Sequence, residues 1–133
     1  MKVIDASVAV RWFVEGEQGR DIALKVLDEI KSDPASFAVP EFFFLEMMNV
    51  LSRLTPNSQI LNQYILGLFD LGMVQVRLGS KLLTRASSLA FDFKISGYDA
   101  LYVAVAEVVE GRWITADAKA HLKIKSLDRS VLL

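Results

Sequence analysis

Four acidic residues stand where a carboxylate is costly to place: Asp5 directly after Val3-Ile4, Glu46 within Phe42-Phe43-Phe44-Leu45-Glu46-Met47-Met48, Asp99 at the head of the apolar run Ala100 to Ala106, and Asp117 just past Trp113-Ile114. An ionised group at the edge of a core gives up hydration, so it needs a hydrogen-bond partner, a counter-charge or a metal ion to stay charged. If the four meet, like charges about 5 Å apart repel by about 3 kcal/mol per pair at an effective dielectric near 20, and a divalent cation relieves that repulsion. The chain has no cysteine and a single histidine. All-oxygen donors of this kind suit a hard ion, Mg2+ or Mn2+ keeping several waters, rather than tetrahedral zinc. Such an ion activates water and binds a phosphate oxygen at once.

Each acid also has a plainer explanation. Asp5 lies between a strand and a helix, and Asp117 precedes a helical stretch, so either serves as an N-cap that accepts a backbone N–H for about 0.5–2 kcal/mol. Ser96 and Asp99 have the spacing of a capping box. Glu46 admits no cap, because it lies mid-helix with Phe42, Phe43 and Val50 around it; its ordinary alternative is a partly buried pair with Arg53. Ser7 and Thr115, each two residues from an aspartate, are either turn caps or groups that orient water at a metal, and Asn49 is placed to steady Glu46. His121 stays outside the candidate site, since no serine, histidine and carboxylate combination forms a triad. Lys119, Lys123, Lys125 and Arg129 make the stretch after Asp117 locally basic, either an ordinary solvated surface or a guide for a phosphate backbone.

The elements that must position these residues alternate. Short strands are expected at 2–4, 37–39, 73–77 and 113–115, with a weak last one within 126–132. Helices are expected at 6–14, 18–31, 40–54 with Pro40 in its first turn, 57–71, 80–91 and 96–110, and a short one from Asp117. Ile22, Val26 and Ile30, with Leu27 beside them, form an amphipathic stripe. This alternation predicts an α/β fold, a three-layer sandwich with a mainly parallel sheet of four to five strands and helices on both faces. Asp5 and Asp117 then fall at the carboxyl ends of strands, where open parallel sheets place their ligands.

With 133 residues and no linker, repeat or low-complexity segment, the chain is expected to be one domain over residues 1–133 that buries roughly two thirds of its unfolded surface. The apolar fraction of 53% exceeds the usual ~45–50%, which leaves apolar surface for a partner or a second copy. A net charge of −1 rules out a polycationic coat protein. The lack of cysteine fits a reducing compartment, and no apolar run approaches the ~20 residues of a membrane helix, so a cytoplasmic protein with no membrane partner is expected. With no glycine-rich phosphate loop, nucleoside triphosphate binding has no support.

Four segments in order, Val3-Ile4-Asp5-Ala6-Ser7-Val8, Pro40-Glu41 leading to Leu45-Glu46 and Asn49-Val50-Leu51, Tyr98-Asp99-Ala100-Leu101-Tyr102 with Ala104 and Ala106, and Ile114-Thr115-Ala116-Asp117, resemble the PIN-domain family, in particular the VapC-type toxins of prokaryotic toxin–antitoxin pairs. The resemblance covers nearly the whole chain. It implies a parallel sheet of this size and a Mg2+- or Mn2+-dependent endoribonuclease, with Asp5, Glu46, Asp99 and Asp117 as catalytic and metal-holding residues and Ser7 and Thr115 close to the metal. It further implies an RNA substrate, a homodimer, and a cognate antitoxin whose tail packs across the groove beside the site. The sequence departs from the family pattern after Asp117, where Ala118-Lys119-Ala120 replaces a basic-basic-leucine continuation. Glu41, five residues before Glu46, faces another side of the helix and is read as dipole compensation. A phosphatase with Asp5 as nucleophile lacks its second aspartate, since Ser7 stands there. The rival from another class is a catalytically silent PIN-like protein-interaction module whose acids act only as caps.

Overall fold

The computed structural model describes residues 1–133. Five strands, β1 (Lys2–Ile4), β2 (Phe37–Pro40), β3 (Val74–Val76), β4 (Arg112–Thr115) and β5 (Ser130–Leu132), form one sheet in the order β3-β2-β1-β4-β5. All four pairings are parallel. The helices are α1 (Ala6–Ala9), α2 (Arg20–Ser32), α3 (Phe42–Leu51), α4 (Ser58–Asp70), α5 (Ser80–Phe93), α6 (Gly97–Val108) and α7 (Ala118–Ile124). The expected α/β sandwich is therefore present, with five strands and a wholly parallel sheet.

The chain steps from β1 to β2 to β3 in one direction, then crosses back over β1 to add β4 and β5 on the other side. With right-handed crossovers, connections that run in opposite directions cover opposite faces of the sheet. The packing follows this rule. Ile4, Phe37, Val39 and Ile114 point to one face and pack with α1 to α4 through Ala9, Ile30, Phe43, Met47, Leu51 and Leu68. Their strand neighbours Val3, Ala38 and Trp113 point to the other face and pack with α5 to α7 through Leu82, Leu89, Tyr102 and Ile124. That alternation is the period-2 geometry of a strand buried on both sides. Helix α6 is buried from Ala100 through Ala106, and a helix apolar all round has to lie between two layers.

Several boundaries differ from the sequence expectation. Pro40 ends β2 rather than opening a helix, and α3 starts at Phe42; the missing donor falls at the strand's last residue, where the ladder loses little. The first helix is α-helical only to Ala9 and tightens into a 3-10 turn through Trp12, with the indole N–H of Trp12 donating to the Ala23 carbonyl at 2.8 Å. Helix α3 stops at Leu51, three residues early, where Thr55 Oγ1 and its backbone N–H both bond the Leu51 carbonyl. The last strand is confined to Ser130–Leu132, because residues Lys125–Leu127 form a 3-10 turn.

The exit from α6 sets the register of β4. Glu110 is left-handed at φ 51°, its N–H bonds the Glu107 carbonyl at 3.2 Å, and the Gly111 N–H bonds the Ala106 carbonyl at 2.8 Å, the two-bond pattern of a Schellman cap. A Cβ at Gly111 would lie 2.1 Å from the Met1 carbonyl oxygen, which β1 and β4 hold in place. Glycine is therefore the favoured residue at both of these adjacent positions. Glu110→Gly is expected to stabilise by up to about 1 kcal/mol, and Gly111→Ala to destabilise by about 1–3 kcal/mol. Urea denaturation midpoints measure both, and a stable Gly111→Ala protein would contradict the close approach.

Candidate active site at the carboxyl edge of the sheet

Asp5 leaves the central strand β1 and is 6% exposed. Its Oδ2 takes three donors: the Ser7 N–H at 3.2 Å, the Ser7 hydroxyl, and the Thr115 hydroxyl at 3.2 Å. Oδ1 accepts none. Ser7 Oγ in turn accepts from the Ala116 N–H at 3.0 Å, and Thr115 Oγ1 from the Asp117 N–H at 3.0 Å. The two hydroxyls therefore staple the end of β1 to the end of β4 and orient the Asp5 carboxylate between them. Burial still pushes the Asp5 carboxyl above its ordinary value, against the opposing pull of these hydrogen bonds. The Trp113 indole N–H, fully buried, has no partner of good hydrogen-bond geometry, yet it stands near enough to Asp5 to favour the charged form.

Glu46 comes from α3 and reaches the same edge. Its Oε1 accepts the Tyr102 hydroxyl at 2.7 Å. Burial raises its carboxyl pKa first, the Tyr102 hydrogen bond works against this, and the charges of Asp5 and Asp99 raise it further. Arg53, the alternative partner, is exposed, and the chain's ion pairs join other residues. Glu41 is one of these, 3.9 Å from the exposed Arg77; it precedes α3 as its N-cap residue rather than standing in the first turn.

Asp99 stands in the first turn of α6, its N–H bonded to Ser96 Oγ at 3.0 Å. Only that half of the capping box forms, and the Ser96 hydroxyl is also near enough to the Asp99 carboxylate to favour its charged form. Its pKa is raised to about 6, first by burial and then by the charges of Asp5 and Asp117, with a Ser96 hydrogen bond opposing. Asp117 is the N-cap of α7, where Oδ1 accepts the Ala120 N–H at 3.0 Å.

Asp5, Glu46 and Asp99 are near enough for charge on one to raise the pKa of another, and Asp117 acts in this way on Asp99. No three of them close into a ready-made metal ligand set. A hexahydrated-type ion such as Mg2+ needs only one or two carboxylates and retains waters, so the oxygen-only donors, with Asp5 Oδ1 free of hydrogen bonds, suit such an ion.

The remaining expected residues separate. Ser7 and Thr115 hold Asp5, whereas Asn49 is exposed and its side chain makes no hydrogen bond to Glu46. His121 is engaged with Ser130, Nδ1 to Oγ 2.7 Å. In the basic stretch, Lys123 Nζ donates to the Lys94 carbonyl at 2.9 Å and Arg129 to the Gly111 carbonyl at 3.1 Å, while Lys119 and Lys125 are exposed. Tyr102 is the residue that sequence reasoning missed. Its hydroxyl is a polar tip in the apolar run of α6, and a buried tyrosine usually finds a partner. Glu46 posed the mirror-image problem in another apolar helix, and the two solve each other.

A PIN domain profile matches residues 2–126. The chain belongs to the PIN-domain family. No curated protein sequence matches it. Among solved structures, it is similar to a toxin–antitoxin complex from Klebsiella pneumoniae, with TM-score 0.70 and 17% identity over 98% of this chain and 96% of that one. It also resembles Mycobacterium tuberculosis VapC20, described as a sarcin-ricin loop cleaving toxin, with TM-score 0.71 and 12% identity over 92% and 94% of the two chains. FitAcB from Neisseria gonorrhoeae superposes with TM-score 0.68 at 17% identity, over 100% and 97%. These likenesses establish a shared PIN fold across the length of each protein.

The Asp99 carboxyl titrates higher in the folded chain than its ordinary 3.8. Folding therefore favours its protonated form, and this contribution to stability is present below pH 3.8 and lost as pH rises through about 6. In EDTA, the Tm is expected to decline across that interval, and Asp99→Asn to flatten the decline and melt higher at neutral pH. An equally steep slope in the variant would contradict the coupling.

Proposed function

We propose that this PIN-domain protein is a Mg2+- or Mn2+-dependent endoribonuclease, the toxin of a toxin–antitoxin pair. The observation that carries the reading is the nearness of Asp5, Glu46 and Asp99, which come from separate elements and have raised pKa values, with Asp117 acting on Asp99. Asp5, Glu46 and Asp99 would hold the ion, with Asp117 in support through its uncapped oxygen. When bound, it supplies a water of lowered pKa and neutralises charge on the phosphate. The chain's own part is placement. Ser7 and Thr115 fix the Asp5 carboxylate, and Tyr102 fixes Glu46. Burial and the nearby charges of Asp5 and Glu46 hold the Tyr102 phenol well above its ordinary pKa, so it remains a proton donor to Glu46.

The partners extend the same reading: an RNA substrate, a second copy of the chain, and an antitoxin covering the groove. Exposed Leu66, Phe91, Val108 and Leu122 supply apolar surface for such contacts, and one structural neighbour is itself a toxin–antitoxin complex. No helix is long and apolar enough to cross a membrane, which accords with a cytoplasmic site of action.

Incubating the purified protein with a panel of single-stranded and structured RNAs is expected to show cleavage that needs Mg2+ or Mn2+ and stops with EDTA. Asp5→Asn and Asp99→Asn should each lower the rate by about 100-fold or more, beyond the loss typical of residues that merely orient a metal ligand. Undiminished cleavage in either variant refutes the assignment. Tyr102→Phe keeps the ring and removes the donor, and should weaken Mn2+ binding by about 10- to 100-fold, measured as a smaller Mn2+-induced rise in Tm. An unchanged Mn2+ response would remove Tyr102 from this role.

A further inference from the structure

Beside the acidic cluster lies an aromatic pair that the hydrolytic chemistry does not use. Phe42 and Tyr98 stack with ring centroids 4.8 Å apart and an interplanar angle of 2°. Phe42 is partly buried and backed by the core beneath α5 and α6, while Tyr98 is 62% exposed. Both are tied to the site by the chain itself. Tyr98 directly precedes Asp99, and Phe42 lies one helical turn before Glu46, on the same face of α3. The pair forms one wall of an open groove of about 730 Å³, shared with Leu83, Ala90, Phe91 and Leu101. Gly97 also lines this groove, and a Cβ added there would meet nothing within 4 Å.

We propose that Phe42 and Tyr98 form a stacking platform for a nucleobase next to the scissile phosphodiester of single-stranded RNA. The proposal deepens the ribonuclease reading and rests on it. A rigid, pre-stacked ring presents a flat apolar surface at little ordering cost, and every base has a face to lay on it. Base–aromatic stacking contributes about 1–3 kcal/mol per base, and only unpaired, splayed bases expose both faces. The platform would therefore favour loops and single strands over duplexes. Two lysines meet at the preceding connection: Lys94 ends α5 four residues before Tyr98, and Lys123 Nζ donates to the Lys94 carbonyl at 2.9 Å. A second copy of the chain is the competing occupant of this wall.

The test measures binding of a fluorescently labelled single-stranded oligoribonucleotide by anisotropy in metal-free buffer, and KM for its cleavage with Mn2+. Tyr98→Ala is expected to raise Kd and KM by about 5- to 100-fold, with KM rather than kcat carrying most of the loss, and Tyr98→Phe to stay near wild type. An oligonucleotide abasic at the stacked position should bind wild type and Tyr98→Ala alike. Unchanged Kd and KM in Tyr98→Ala, or a loss that persists with the abasic strand, overturns the platform while metal-dependent cleavage by wild type upholds the nuclease. A shift in oligomeric state on gel filtration of Tyr98→Ala, with RNA affinity unaltered, assigns the wall to a second copy and also overturns it. A wild-type chain that neither binds nor cuts RNA overturns both.

Discussion

The carboxyl edge of this sheet is organised by the cost of keeping Asp5 charged almost out of water. The central strand delivers it there, because β1 is flanked by β2 and β4 and both its faces are covered. A lone carboxylate so placed would neutralise itself. Three donors on Oδ2 oppose that outcome, and two of them come from hydroxyls that also bond the backbone of the β4 exit. The same contacts that solvate the charge therefore join two strands. The field of Asp5 then reaches Glu46 and Asp99, whose own burial adds to it.

Capping and chemistry are compatible because a carboxylate has two oxygens. Asp5 caps α1 through Oδ2, and Asp117 caps α7 through Oδ1. In each case the other oxygen stays free of that bond. Helices α1, α6 and α7 all begin at this edge, and the unpaired N–H groups of a first turn favour nearby negative charge. The topology explains the concentration: every strand is parallel, so every strand-to-helix turn lies on one side of the sheet. The reversal of strand order beside β1 then opens a crevice between connections that leave in opposite directions.

Much of the architecture was legible because buried parallel strands and two-layer helices leave strong patterns. Val3 and Ile4, Trp113 and Ile114, and the unbroken apolar run of α6 could hardly be placed elsewhere than in a core. Element ends were less legible, as Pro40 shows: the same missing donor is harmless at a helix start and at a strand end, and the pairing of Val76 with Pro40 decided between them. Asn49 failed for a related reason. One helical turn from Glu46 is close along the chain, but the Glu46 side chain turns toward α6, away from it.

Residue type and local order, then, determined on their own the α/β alternation and the places of Asp5 and Asp117 at strand ends. What only tertiary structure decided was which polar atoms meet. Tyr102 and Glu46 are 56 positions apart, and Thr115 and Asp5 are 110; their hydrogen bonds depend on helix rotation and strand register to within an ångström. Local sequence specifies periodicity, which tolerates such shifts, whereas a hydrogen bond at 2.7 Å does not.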